Sequence, residues 1–151
     1  MNFWQAVASG FSNYVKFSGR ASRSEYWYWV LFVSIVGVVA TLLDGAIVHH
    51  RHGPIARLWE LVTVLPGLAL AVRRLHDTSH GGWWLLVIGG LMAVMALILF
   101  AFGLVVVPVT AMLIGLATLI FLFCQPGTPG ANKFGPDPFG PLGHVSQRST
   151  A

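Results

Sequence analysis

Residues 83–124 form one run of 42 without an Asp, Glu, Lys, Arg or His. A helix of that length would measure about 63 Å at 1.5 Å per residue. The hydrocarbon of a bilayer is about 30 Å thick, so the run is about twice what one crossing needs. It therefore has to fold back. Trp83–Phe102 and Leu104–Phe123 give two stretches of 20 residues about Gly103, with Pro108 as the alternative turning point. Soluble domains carry about 25% charged residues. Here apolar residues make up 56% and charged residues 9%, too few charges to cover a water-facing surface.

Two more apolar stretches precede this hairpin. One is Tyr26–Leu43. The other is Ile55–Val72, with Arg57 and Glu60 near its start and Pro66 in its middle. Arg57 and Glu60, three apart, are expected to pair at the membrane edge, and Pro66 to kink its helix. Before them, Phe3, Trp4, Val7, Ala8, Phe11 and Val15 recur at helical spacing. Residues 2–17 read as an amphipathic helix lying in the interface; a frayed leader is the plainer alternative. Five of the eight prolines fall in Pro126–Pro141, so residues 125–151 read as an extended tail without regular structure. The fold expected is an all-α integral membrane protein: one domain over residues 1–151, four transmembrane helices, an N-terminal interfacial helix and a Pro/Gly-rich tail. The first apolar run begins only at Tyr26 and lacks a following small-x-small pattern, so no cleavable signal peptide is expected.

Four spans put both termini on one side. Lys16, Arg20, Arg23, Arg73, Arg74, Lys133 and Arg148 share that side, against Arg51 and Arg57 on the other. The positive-inside rule makes the richer side cytoplasmic. The aromatic runs Tyr26–Trp29 and Trp83–Trp84 begin spans at that same interface, where amphipathic rings are favoured. The net charge of +4 then speaks to topology and anionic lipid rather than to nucleic acid.

Chemistry-bearing residues concentrate on this face. Ser22-Arg23-Ser24-Glu25 precedes an apolar run, so Ser22 and Glu25 fit a capping box; Glu25 either completes that cap or belongs to a site. Arg20 and Arg23 fall at head-group level, as anchors or as part of a specific site. Arg73-Arg74-Leu75-His76-Asp77 ends the second span. The two arginines suit a helix C-terminus and anchor it against lipid, whereas an acid there opposes the dipole. Asp77 either pairs with Arg73 along the helix, clamps the following loop as an Asx-type turn, or joins His76 in a ligand or proton-handling site. On the other side, His49, His50 and His52 flank Arg51; with Asp44 the one carboxylate nearby, they read as a solvated loop rather than a metal site. Cys124 is the single cysteine, so neither an intrachain disulfide nor a cysteine-based metal motif is available. No phosphate loop, zinc-protease motif, nucleophile elbow or dinucleotide fingerprint is present. No catalytic residue, metal or cofactor is assigned.

Three segments taken in order are distinctive: Gly19-Arg20-Ala21-Ser22-Arg23-Ser24-Glu25-Tyr26-Trp27; Arg73-Arg74-Leu75-His76-Asp77 with Gly82-Trp83-Trp84; and the stretch from Pro126 to Pro138 containing Asn132-Lys133-Phe134-Gly135-Pro136-Asp137. Their order and spacing resemble the bacterial inner-membrane proteins grouped as domain of unknown function 805, over about residues 2–138. The resemblance implies a small multi-spanning inner-membrane protein and implies no activity. Ser79-His80 departs from the family pattern, which would have a small and a basic residue there, and the run from Trp83 to Cys124 is longer than usual.

All three segments fall on one membrane face. Arg20, Arg23, Glu25, Arg73, Arg74, His76, Asp77, Asn132 and Asp137 can therefore meet in one polar layer that holds the tail. Two functional classes remain open. One is a non-enzymatic binding or scaffold module whose layer takes anionic phospholipid head groups or a membrane protein partner. The other is an enzyme or carrier for a lipid-borne or small anionic substrate, using His76 and Asp77. An ion-coupled transporter is disfavoured, because the spans hold almost no ionisable groups.

Overall fold

The computed structural model describes residues 1–47, 53–102 and 106–140. Over these the chain is helical: α1 (Phe3–Ser12), α2 (Arg23–Ile47), α3 (Pro54–Asp77), α4 (Trp83–Phe102) and α5 (Val106–Cys124). By length and composition α2, α3 and α4 can each cross a membrane, and α5 carries a shorter apolar stretch, Val109–Cys124. The turning point at Gly103 and the His49–His52 loop lie outside the described residues.

The N-terminal helix is shorter than its apolar periodicity. Asn2 and Gln5 close a capping box at its start, with the Gln5 amide donating to Asn2 Oδ1 at 2.8 Å and the Asn2 amide to Gln5 Oε1 at 3.0 Å. It stops at Ser12, where Asn13 takes up the Ser9 carbonyl with both its backbone and side-chain N–H groups. The helix lies across α2. Gly10 faces the Trp29 ring so closely that a Cβ there would sit 2.2 Å from Cε3. Phe11 and Phe3 meet Trp29 and Phe32 edge to face.

The second and third helices form an antiparallel hairpin. Trp59 crosses between them and donates its indole N–H to the Val33 carbonyl at 3.1 Å. At the closed end Asp44 of α2, fully buried, caps α3: its two oxygens accept from the amides of Ile55 (3.2 Å) and Ala56 (2.8 Å). A carboxylate on the orphan amides of a helix start satisfies donors and complements the dipole. Gly53 permits this, since a Cβ there would lie 2.5 Å from the Asp44 carboxylate. Arg57 and Glu60, expected to pair, do not. Both are exposed, and no ion pair joins them.

Pro66 sits inside α3. Proline has no amide hydrogen, so the carbonyl four residues earlier loses its helical donor. That carbonyl belongs to Val62, and the Tyr14 hydroxyl donates to it. The segment after α1 thus repairs the break in α3.

The third helix ends in a complete Schellman motif, with Ser79 N–H on the His76 carbonyl (3.1 Å) and His80 N–H on the Leu75 carbonyl (2.9 Å). Ser79 occupies the left-handed position (φ +62°), which usually takes glycine. The last two helices pack on each other along their length. They join the first hairpin through one cluster, in which Ala71 and Leu75 meet Ile88, Leu122 and Phe123, with the Tyr26 ring tilted against Phe123, centroids 4.4 Å apart. This junction lies at the end of the bundle that carries the polar side chains.

Candidate functional site

Three arginines and two acids are buried at that end: Arg20, Arg73 and Arg74 with Glu25 and Asp77. Asp77 is the hub. Its Oδ1 accepts Arg20 Nε at 2.9 Å and Nη2 at 2.8 Å, and its Oδ2 accepts Arg74 Nη1. The helix does continue to Asp77, yet the partner along it is Arg74, three residues back, and not Arg73. The expected Arg73–Asp77 pair therefore does not form, nor does the carboxylate clamp the next loop. Arg20 arrives from the segment before α2 and takes the place either would have used.

Arg73 points the other way. Its Nη1 donates to Glu25 Oε1 at 3.1 Å, and Ser9 Oγ donates to the same oxygen at 2.8 Å. So Glu25 ties together α1, α2 and α3. The expected capping box is half formed: the Glu25 amide donates to Ser22 Oγ at 3.2 Å, while the Glu25 carboxylate turns inward to Ser9 and Arg73. The Nε and Nη2 atoms of Arg73 are buried without a hydrogen-bond partner.

Arg74 is fully buried and is not an anchor in head groups. Its Nε donates to the Phe123 carbonyl at 3.1 Å and its Nη2 to the Gln125 carbonyl. Those carbonyls sit at the end of α5, where a helix leaves four acceptors unmet and carries partial negative charge. Arg74 is thus the C-terminal cap of α5, supplied from α3. Arg23 contributes at the margin: it is half-buried, and its Nη1 lies 3.4 Å from the Cys124 carbonyl.

The tail closes over this layer. Arg20 donates from Nη1 to the Gly130 carbonyl and from Nη2 to the Thr128 carbonyl. Thr128 donates both its amide (2.8 Å) and its hydroxyl (3.0 Å) to the Asp77 carbonyl. Gly127 passes so near Asp77 that a Cβ would stand 2.1 Å from Oδ2. Asn132 Nδ2 donates to the His76 carbonyl at 2.9 Å and to Thr128 Oγ1 at 2.9 Å. Phe134 stacks flat on His76, centroids 4.0 Å apart. His76 Nδ1 lies 3.1 Å from the Gly19 carbonyl; a carbonyl can only accept, so that nitrogen carries the proton. Asp137 folds the tail on itself, accepting from the amides of Gly130 (3.0 Å) and Phe139 (2.9 Å). Over 125–139 the tail has no helix and only an isolated bridge between Asn132 and Gly135, and it is held by these bonds rather than by an apolar core.

Beside a separate Glu25–Arg73 pair, five of the nine candidate residues thus share one network about Asp77: Arg20, Arg74, His76, Asp77 and Asn132. Arg23 borders it, and Asp137 shapes the tail that covers it. Ser9 joins the Glu25–Arg73 pair, Gly127, Thr128 and Phe134 join the Asp77 network, and none of the four was singled out from the sequence. The signal for the last three was their place in the same Pro/Gly-rich motif as Asn132.

A family described as protein of unknown function (DUF805) matches residues 14–136. Inner membrane protein YhaI of Escherichia coli (strain K12) is 40% identical over 134 residues, covering 89% of this chain and 95% of that protein. Inner membrane protein YhaH of the same strain is 38% identical over 129 residues, covering 83% of this chain and 89% of that protein. No solved structure matches.

Proposed function

The chain belongs to the DUF805 family, and from that premise we propose that it is a non-enzymatic membrane module which binds anionic phospholipid head groups at its cytoplasmic face. In this reading α2 to α5 are four spans, and both termini lie in the cytoplasm. The basic residues crowd the end that carries the polar layer, as the positive-inside rule requires.

The observation that carries the reading is a division of labour among charged side chains. Buried ones, two Arg73 donors apart, are occupied by one another and by the backbone. Both Asp77 oxygens take arginines, and His76 is held between Gly19 and Phe134. A general base needs a reach to substrate, and these two groups are already engaged. Around them Lys16 and Lys133 are exposed and Arg23 is half-exposed. Trp4, Trp27 and Trp83 expose their rings. Cations beside interfacial aromatics suit anionic head groups, at about 1 kcal/mol per basic residue near the surface.

The test uses the whole protein, purified in mild detergent, with mass spectrometry of the intact complex to count retained phosphatidylglycerol. The triple variant Lys16→Gln, Arg23→Gln, Lys133→Gln should retain several-fold less, with an unchanged melting temperature. Equal retention would sink the reading. His76→Phe, which keeps the stack, should still complement a deletion strain; failure with an intact fold would favour an enzyme or carrier acting on an anionic substrate.

A further inference from the structure

Among the described residues deep within the apolar helices, Arg57 and Glu60 are the charged ones that the fold leaves over. Both lie on α3, both are exposed, and neither has an ion-pair partner among the described residues. Their depth makes this costly. Arg74 marks the polar end of α3. Counted back from it at 1.5 Å per residue, about 30 Å of hydrocarbon ends near Pro54, so Glu60 lies about 9 Å inside that edge. Charges at such depth normally face a partner.

The surface around them has the shape of an interface. Arg57, Leu61, Val64 and Leu68 follow each other at spacings of four, three and four along α3, the seam spacing of paired helices. All four are exposed. Beside Glu60 opens a groove of about 420 Å³, in which Ser34, Gly37 and Thr41 of α2, rimmed by Val38 and Leu42, face Ala56 and Trp59 of α3. Small residues on one wall allow another helix to come close.

The chemistry selects the occupant. Helices α4 and α5 cannot cover this face and satisfy its charges, because residues 83–123 carry no ionisable side chain. Anionic lipid would add to the charge of Glu60 rather than offset it. A second copy of the chain presents both missing partners. About a two-fold axis along the membrane normal the same patch meets itself. Level residues then face their own copies, and Arg57 of one copy can swing to the partner's Glu60, offset by about 4.5 Å along the helix and within the reach of an arginine side chain.

We propose that the protein forms a two-fold dimer through this face of α3, sealed by two reciprocal Arg57–Glu60 ion pairs. Sedimentation equilibrium in density-matched detergent tests it with the full chain. Wild type should dimerise. Arg57→Glu and Glu60→Arg should each weaken the dimer at least about tenfold, or about 1.4 kcal/mol. The double variant carrying both reversals should recover wild-type affinity, because it restores opposite charges across the axis. An equimolar mixture of the two single variants should form a heterodimer, which guards against a reversal that merely unfolds the chain. A wild-type protein that is monomeric throughout, or single reversals that leave the dimer unchanged, would overturn the proposal. So would a double variant as weak as the singles.

Discussion

At the scale of single residues, the buried ionic layer divides into a part that the fold depends on and a part it can replace. Asp77 compensates two buried guanidiniums, Arg20 and Arg74. Removing one partner of a buried pair costs about 3–5 kcal/mol, because the remaining charge stays desolvated. Asp77→Asn should therefore lower stability by about that much, read as thermal unfolding in detergent. The Arg73–Glu25 pair is different, since two of the Arg73 donors find no partner. Replacing both ends of an imperfect buried pair is often neutral or stabilising, within about 1–4 kcal/mol. Arg73→Met combined with Glu25→Gln should unfold no earlier than wild type, and each single change should unfold earlier. A double variant as unstable as Asp77→Asn would show that this pair too is indispensable.

At the scale of elements, two helix ends and one break inside a helix are completed by groups from elsewhere in the chain. Asp44 of α2 caps α3, and Arg74 of α3 caps α5. Tyr14 takes up the carbonyl that Pro66 frees inside α3. The last of these makes a coupled prediction. Tyr14→Phe should cost about 1 kcal/mol, the net worth of one hydrogen bond and less than a bare buried carbonyl can cost. In a Pro66→Ala background the helical amide returns to Val62, so the same change should cost almost nothing. A double-mutant cycle reads the difference directly. Equal costs in both backgrounds would mean that the tyrosine acts by packing alone.

For the whole molecule, the tail behaves as a strap. It ties the first hairpin to the second at the end where they join, and Arg20 is its buckle, reaching Asp77, Thr128 and Gly130 at once. Local openings take their free energy from the contacts they break. Arg20→Gln should accordingly expose residues 126–140 to protease, with cleavage at least about tenfold faster than in wild type. An unchanged rate would place the tail's attachment in Asn132 and Phe134 rather than in Arg20.

The sequence by itself determined the solvent and the elements. An uncharged run of 42 residues has to fold back in lipid, and backbone hydrogen bonding in lipid leaves only helices or closed barrels. The same reasoning put the three polar motifs on one face, since motifs at span ends can only lie at a boundary. What the sequence left open was pairing. Arg73 is four residues from Asp77, yet Asp77 takes Arg20, 57 positions away, and Arg73 takes Glu25, 48 away. Spacing along one helix ranks only local partners, whereas buried charges settle wherever desolvation is best offset across helices. Glu25 left its capping box for the same reason. The pair Arg57 and Glu60 also spaced correctly and did not form. Only the tertiary structure decided these, because each depends on how α1, α2, α3 and the tail converge at one end of the bundle.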